Sequence, residues 1–246
     1  MAKESGIGDL LFIAGVDLSG DVGAVQTISR RFGTFDMTAI NQAGYDRIYG
    51  LIDGEISFNC YFNDAAAQQH LTLRTKQALA DVGVAYYHGS GIGEAAAASI
   101  AKQINYDWTR GQDGALIGTV QMIANAKGLD YCEQLTAGKR TESTATNGAS
   151  WNNGASSATG LVAYIQVFAL TSGTPTVKIQ ESSNDGAGDA FADVSGATFG
   201  VVTNGLSTRV VTSLTLAVEQ YLRVVTTGTF SGLTFAVCAS RSPYLA

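Results

Sequence analysis

Apolar and polar positions alternate in short runs over most of the chain. Across 52–62, Ile56, Phe58, Cys60 and Phe62 fall on one face, and Glu55, Ser57, Asn59 and Tyr61 on the other. That period of two predicts a strand with one wet face. Val82–Tyr87 and Ala115–Ala124 read as further strands, and Phe12–Ile28 as short strand-like pieces broken by Gly15, Gly20 and Gly23. Asp64 predicts the cap of a helix over Ala65–Leu79, with apolar residues at 67, 71, 78 and 79. Ala95–Tyr106 fits two patterns. Its four alanines favour helix, while Ile100, Lys102, Ile104 and Tyr106 alternate as in a strand. Between Arg31 and Gly50 the pattern fades into a polar stretch with scattered aromatics, which predicts a long loop of the functional or disordered kind.

The second half is plainer. Apolar, β-branched runs recur at Leu161–Leu170, Thr176–Gln180, Phe199–Thr203, Thr208–Leu216, Tyr221–Thr227 and Leu233–Ala239, with Gly, Asn, Ser and Pro between them. Strands punctuated at this spacing predict an all-β sandwich. The small, polar stretch from Thr141 to Gly160 separates the halves and reads as a linker running into a loop or short edge strand, anchored by Trp151. The expected division is 1–142, a connecting stretch 143–158, and 159–246. The fold class is mainly β: an N-terminal β-sandwich or barrel with one flanking helix, then a C-terminal jelly-roll or Ig-like sandwich.

Composition narrows the function. The 246 residues carry 15% charged and 46% hydrophobic side chains, enough for a core and unlike a disordered chain or coiled coil. Net charge is −6, and the acidity lies in the first half: residues 1–147 hold 11 basic and 16 acidic side chains. The basic pairs Arg30-Arg31 and Lys139-Arg140 are the largest, too few to grip a phosphate backbone. Cys60, Cys132 and Cys238 are odd in number and outside any CxxC, so three reduced, mostly buried thiols and cytoplasmic assembly are expected. The apolar run Leu10–Val16 is too short to span a membrane and lacks a basic n-region, so neither export by its own signal nor membrane insertion is expected.

Catalytic patterns are weak. His70 has no Cys or carboxylate at helical spacing, and Gly89, Gly91 and Gly93 after His88 do not make a dinucleotide fingerprint. There is no GxSxG elbow. Asp53 and Glu55 read as solvent-facing strand residues, and the loop with Asp185 and Asp189 as a polar turn with too few alternating carboxylates for calcium. No catalytic residue, metal ligand or cofactor is predicted, and a binding or structural protein is expected instead of an enzyme.

Three segments carry a resemblance. Phe35-Asp-Met-Thr-Ala-Ile, followed by Tyr45-Asp-Arg-Ile-Tyr-Gly-Leu-Ile-Asp-Gly-Glu-Ile-Ser-Phe-Asn-Cys-Tyr-Phe-Asn63, resembles the tail tube (major tail) proteins of long-tailed phages infecting actinobacteria. Lys102-Gln-Ile-Asn-Tyr-Asp-Trp-Thr-Arg-Gly-Gln-Asp-Gly114 and Gln134-Leu-Thr-Ala-Gly-Lys-Arg140 resemble later segments of the same family. The likeness covers most of residues 10–142 and tips Ala98–Tyr106 toward strand. Trp108 departs from it, standing where a smaller residue or proline is common. The second half resembles a β-sandwich appended to phage virion proteins, through Thr159-Gly160, Val177-Lys-Ile-Gln-Glu-Ser-Ser-Asn-Asp-Gly186 and Tyr221-Leu-Arg-Val-Val225.

The resemblance implies a structural virion protein of the tail, assembled in the host cytoplasm. Six copies would form a ring, and rings would stack into a tube conducting double-stranded DNA. The second domain would sit outside. Implied partners are further copies of itself, tape measure, tail terminator and distal tail proteins, and DNA passing without specific binding. Phe35, Met37, Ile40, Tyr45, Arg47 and Ile48 would form a ring-stacking loop. Glu55, Ser57, Asn59, Gln103 and Asn105 would face the lumen. The alternative is a capsid decoration or a receptor- or glycan-binding surface protein, with Trp151 and Tyr164 as glycan contacts.

Overall fold

The computed structural model describes residues 5–76 and 81–241. The first half holds β1 (Leu10–Ile13), β2 (Val16–Asp17), β3 (Val22–Asp36), β4 (Arg47–Tyr61), α1 (Gln69–Leu73), β5 (Val82–Tyr87), β6 (Ala95–Arg110), β7 (Leu116–Gln134) and β8 (Arg140–Glu142). The second holds β9 (Asn147–Asn152), β10 (Val162–Ala169), β11 (Ser172–Gly173), β12 (Thr176–Ser182), β13 (Ala192–Val201), β14 (Ser207–Val211), β15 (Tyr221–Thr227), β16 (Phe230–Ser231) and β17 (Leu233–Ser240). The chain is mainly β, with antiparallel pairing throughout and no closed barrel among the described residues.

One large sheet runs β14-β10-β17-β7-β6-β5-β1-β2, and the β3–β4 hairpin joins it through β4 on β7. A four-stranded sheet, β13-β12-β15-β9, covers the second half. Residues 143–158 contain β9, which pairs with β15 through Leu222 and Trp151. Strands of both halves meet in the large sheet where Cys238 lies opposite Gln134 and Ala239 opposite Glu133.

Three apolar clusters follow from this layout. One lies within the first half, around Phe58, Met122, Leu129 and Leu73. A second fills the sandwich of the second half, around Ile165, Val177, Leu222 and Phe235. The third is shared: Phe12, Tyr87, Ala96 and Cys132 from the first half pack on Val162, Tyr164, Ala236 and Cys238 from the second. Each Phe, Leu or Ile buried in these clusters is worth ~1.5–3 kcal/mol over leaving it exposed.

At the shared cluster a buried polar triad crosses the seam. The Tyr164 hydroxyl donates to Asp130 Oδ2 at 2.6 Å. Arg209 Nε donates to that hydroxyl at 3.0 Å, and its Nη2 lies 3.5 Å from Asp130. Burial, and then the Asp130 carboxylate, hold the Tyr164 phenol far above its ordinary range. The hydroxyl is therefore a fixed donor.

Two expected elements come out differently. The helix is five residues long, not fifteen. Ala67 adopts a left-handed φ of 57°, which interrupts any helix begun at Ala65. Asp64 does not cap it: the first helical amide, Gln69 N–H, donates instead to Asp21 Oδ2 at 3.0 Å. The end of the expected helix, 77–79, lies outside the described residues. The long loop expected over 33–50 is largely strand. β3 and β4 continue their ladder to Asp36 opposite Arg47, leaving only 37–46 as the connection. Ala95–Arg110 is a strand throughout.

All three cysteines are buried and free. Burial, and next the nearby Asp21, push the Cys60 thiol up to about 12, and burial raises Cys132 as well. Native protein at pH 8 is expected to leave all three thiols unmodified by an aromatic disulfide reagent, with three equivalents reacting after denaturation. Removing one partner of the buried triad, as in Asp130→Ala, takes away the acceptor of the Tyr164 hydroxyl and the carboxylate facing Arg209, and should cost about 3–5 kcal/mol in urea denaturation. Both halves should still unfold in one transition, because they share a core.

Candidate assembly surfaces

Four strands build the candidate site: β3, β4, the 116–124 part of β7 and the 102–110 part of β6. Their registers align in rows. Thr27, Ser57, Gln121 and Asn105 form one row, and Asn59, Thr119 and Asp107 the next. Ser29, Glu55 and Ile123 form a third. The side chains bond within and between the rows. Gln121 Nε2 donates to Glu55 Oε1 at 3.0 Å, Thr119 Oγ1 to Asn59 Oδ1 at 3.3 Å, and Asn105 Nδ2 to Asp107 Oδ2 at 2.8 Å. Arg31 Nη2 reaches the other Glu55 oxygen at 2.6 Å. This face is polar, while its reverse carries Ile56, Phe58, Val120 and Met122 into the core.

The expected polar face is thus assembled from Glu55, Ser57, Asn59 and Asn105, but not Gln103. A β-bulge falls between Gln103 and Asn105: Gln103 lies opposite Met122, and Asn105 opposite Gln121. The extra residue, Ile104, is pushed outward, and the two side chains end on opposite faces. Gln103 is 6% exposed and donates to the Leu73 carbonyl at 3.0 Å, tying α1 to the core face. Thr119 and Gln121 complete the polar face. Their alternation within Ala115–Ala124 was the available sequence signal.

The sheet has two open edges. β3 pairs with β4 alone. β5 covers β6 only from Ala96 to Ala101, so Lys102–Arg110 has no strand on its outer side among the described residues.

The β3–β4 hairpin runs on beyond the sheet and ends in apolar side chains facing water. Phe35, Met37, Tyr45 and Ile48 are exposed, Ile40 fully so at 107%. Tyr49 and Leu51 add to them. Arg47 lies over the Tyr45 ring at 4.4 Å, a cation–π contact that orders the tip. Asp36 accepts from the Thr38 amide at 3.0 Å and fixes the turn out of β3. The six residues expected in a stacking loop are all brought together here.

The two expected glycan contacts are not a surface pair. Tyr164 is 2% exposed and belongs to the buried triad. Trp151 is half-buried against the sandwich core, with Arg241 over its ring at 5.9 Å. The Asp185 and Asp189 carboxylates are taken up within their own surroundings, by Ser150 and by the Ser183 amide. Among the described residues no cluster of His, Cys, Asp and Glu is arranged to hold a metal.

No family model matches the chain, and no curated protein matches it. Among solved structures it is similar to the tail of an empty gene transfer agent particle of C6 symmetry, at 16% identity and a TM-score of 0.39, over 52% of this chain and 98% of that one. It is also similar to the Dit protein of phage SPP1, at 12% identity and a TM-score of 0.34, over 94% and 98%. A third similarity is to the activated phage p2 baseplate, at 9% identity and a TM-score of 0.32, over 95% and 99%. Function is therefore read from the geometry of the chain itself.

The exposed tip contributes little to the fold of its own copy. Phe35→Ser, Ile40→Ser and Ile48→Ser should each change monomer stability by no more than about 0.5 kcal/mol, whereas Phe58→Ala should cost about 3–5 kcal/mol. Thermal and urea denaturation at low concentration measure both.

Proposed function

We propose that this chain is a structural subunit of a phage tail, six copies of which form a ring, and that the rings stack into a tube that conducts double-stranded DNA. The observation that carries this reading is the four-stranded β3–β4–β7–β6 part of the large sheet: one face polar, one face in the core, the β3 and Lys102–Arg110 edges unpaired among the described residues, and an apolar hairpin projecting from one end.

Each feature is costly in an isolated chain and useful in a ring. Unpaired edges invite another strand. The β3 edge of one copy and the Lys102–Arg110 edge of the next are different surfaces, so their pairing is heterologous and closes into a ring when the rotation fits. Six four-stranded sheets would make a barrel of 24 strands. At ~4.8 Å per strand its circumference is about 115 Å and its backbone diameter about 37 Å, before strand tilt widens it. Inward side chains of about 5 Å on each side leave about 27 Å, wider than a B-form duplex.

The polar rows would line that channel. Glu55 is offset by Arg31, and Asp107 adds a negative charge, so among the described residues these rows would present mixed and not strongly basic charge, and DNA would slide without gripping. The apolar tip would engage the next ring, and the sandwich of the second half would lie outward. Tape measure, tail terminator and distal tail proteins are the expected partners at the lumen and the two tube ends. No site for a cofactor enters this reading.

Negative-stain electron microscopy across a concentration series tests it. Hollow rings or striated tubes with outward knobs are expected. Uniform trimers at every concentration would overturn the tube and favour a capsid decoration protein.

A further inference from the structure

The end of the four-stranded sheet opposite the hairpin carries a second exposed apolar surface. The register fixes its position. Tyr61 lies opposite Ile117, and Trp108 opposite Gly118, while Arg47 and Asp36 mark the other end of the same strands. β4 spans 15 residues, so the two ends are about 46 Å apart.

Aromatic rings gather there. Phe62 meets Trp108 edge-on at 5.1 Å, and Tyr106 meets it at 5.0 Å. His70, from α1, lies 4.7 Å from Phe62 and accepts or donates a hydrogen bond with the Tyr106 hydroxyl at 2.9 Å. The back of this cluster is fixed: Gln69 Nε2 also donates to Tyr106, and the Trp108 ring leaves no room for a side chain at Gly118. Its front is open. Phe62 is exposed at the end of the strand. Nothing in the first half explains why a rigid aromatic cluster should face water.

We infer that this cluster is the receptor for the hairpin tip of a second copy, with Phe62 and Trp108 receiving Met37 and Ile40. The inference rests on the tube reading and names the partner surface within it. The occupant follows from three observations. The tip and the cluster are both apolar and exposed, and among the described residues neither is covered within its own copy. They lie about 46 Å apart on one sheet, so a copy cannot satisfy itself. They also sit at opposite ends of the strands, which makes the contact head-to-tail and open-ended, the geometry that yields a stack and not a closed pair. The rim adds charge: Asp64, two residues after Phe62, is exposed, and Arg47 is the only basic residue between Gly33 and Gly50.

A complementation experiment tests this. Ile40→Asp disables the tip, and Phe62→Asp disables the cluster. Both positions are exposed, and each variant is first checked for an unchanged thermal unfolding midpoint. Trp108→Phe is the milder variant if Phe62→Asp perturbs folding, and should reduce stacking several-fold. Under conditions where wild-type protein stacks, each Asp variant alone should sediment as an unstacked species. An equimolar mixture should recover a larger complex, because each supplies the surface that the other lacks. Stacking by Phe62→Asp alone, or failure of the mixture to recover any complex, would overturn the inference and leave the tube reading intact. Wild-type protein that never forms rings or tubes would overturn the tube reading, and this inference with it.

Discussion

The structure depends on the seam between β7 and β17. Only two residue pairs register there, Cys238 with Gln134 and Ala239 with Glu133. Yet that short ladder makes one sheet of two halves, and the apolar cluster around Tyr87, Tyr164 and Cys238 has side chains from both. Asp130, Tyr164 and Arg209 reinforce it from β7, β10 and β14. A buried charge pair offers little net stability over apolar packing, but mispairing it is expensive. The triad therefore penalises any arrangement that slides β10 along β7, and so fixes where the second half sits.

With that end held, β7 and β6 leave the shared core as a pair and change character along their length. Residues 96–101 of β6 are alanines, Ser99 and Ile100, packed between β5 and β7. From Lys102 onward β5 is gone, one face turns polar and the outer edge opens. Two register shifts in β6, at Ser99/Ala101 and Gln103/Asn105, make the transition. Bulges of this kind re-aim side chains and increase local twist. Here they put Gln103 into the core, where it holds α1, and Asn105 onto the polar face.

Much of this was legible in the sequence, unevenly. The second-half strands announce themselves because β-branched runs alternate with turn residues, and Tyr221–Thr227 and Leu233–Ala239 match β15 and β17 within a residue. The wet face of β4 was legible from period two. The bulge after Gln103 was not, because a bulge is defined by the residue count of the opposing strand, which one strand's sequence does not contain. The hairpin was read as loop because Thr34, Asp36, Arg47 and Tyr49 pair only with each other and bury nothing. The helix failed at Ala67, where a left-handed backbone falls on a good helix former. The Asp130–Tyr164–Arg209 contact joins residues 34 and 45 positions apart, beyond the reach of any periodicity.

A long exposed edge and an apolar hairpin would normally condemn a free chain to aggregation, and β3 shows how that is restrained. Its ladder with β4 is broken three times, at Val22/Ala24, Val25/Thr27 and Phe32/Thr34. The first two breaks insert one extra residue each, Gly23 and Gln26, into β3 itself. Such an edge is locally twisted and does not offer a flat row of donors and acceptors to arbitrary strands. In the proposed ring the facing edge would have an irregularity of its own. The open edge of β6 is bulged too, at Gln103/Asn105, within the stretch left uncovered. Edge protection and edge selectivity are then the same device. In the proposed ring it would slow pairing with wrong strands and favour the bulged edge of a second copy.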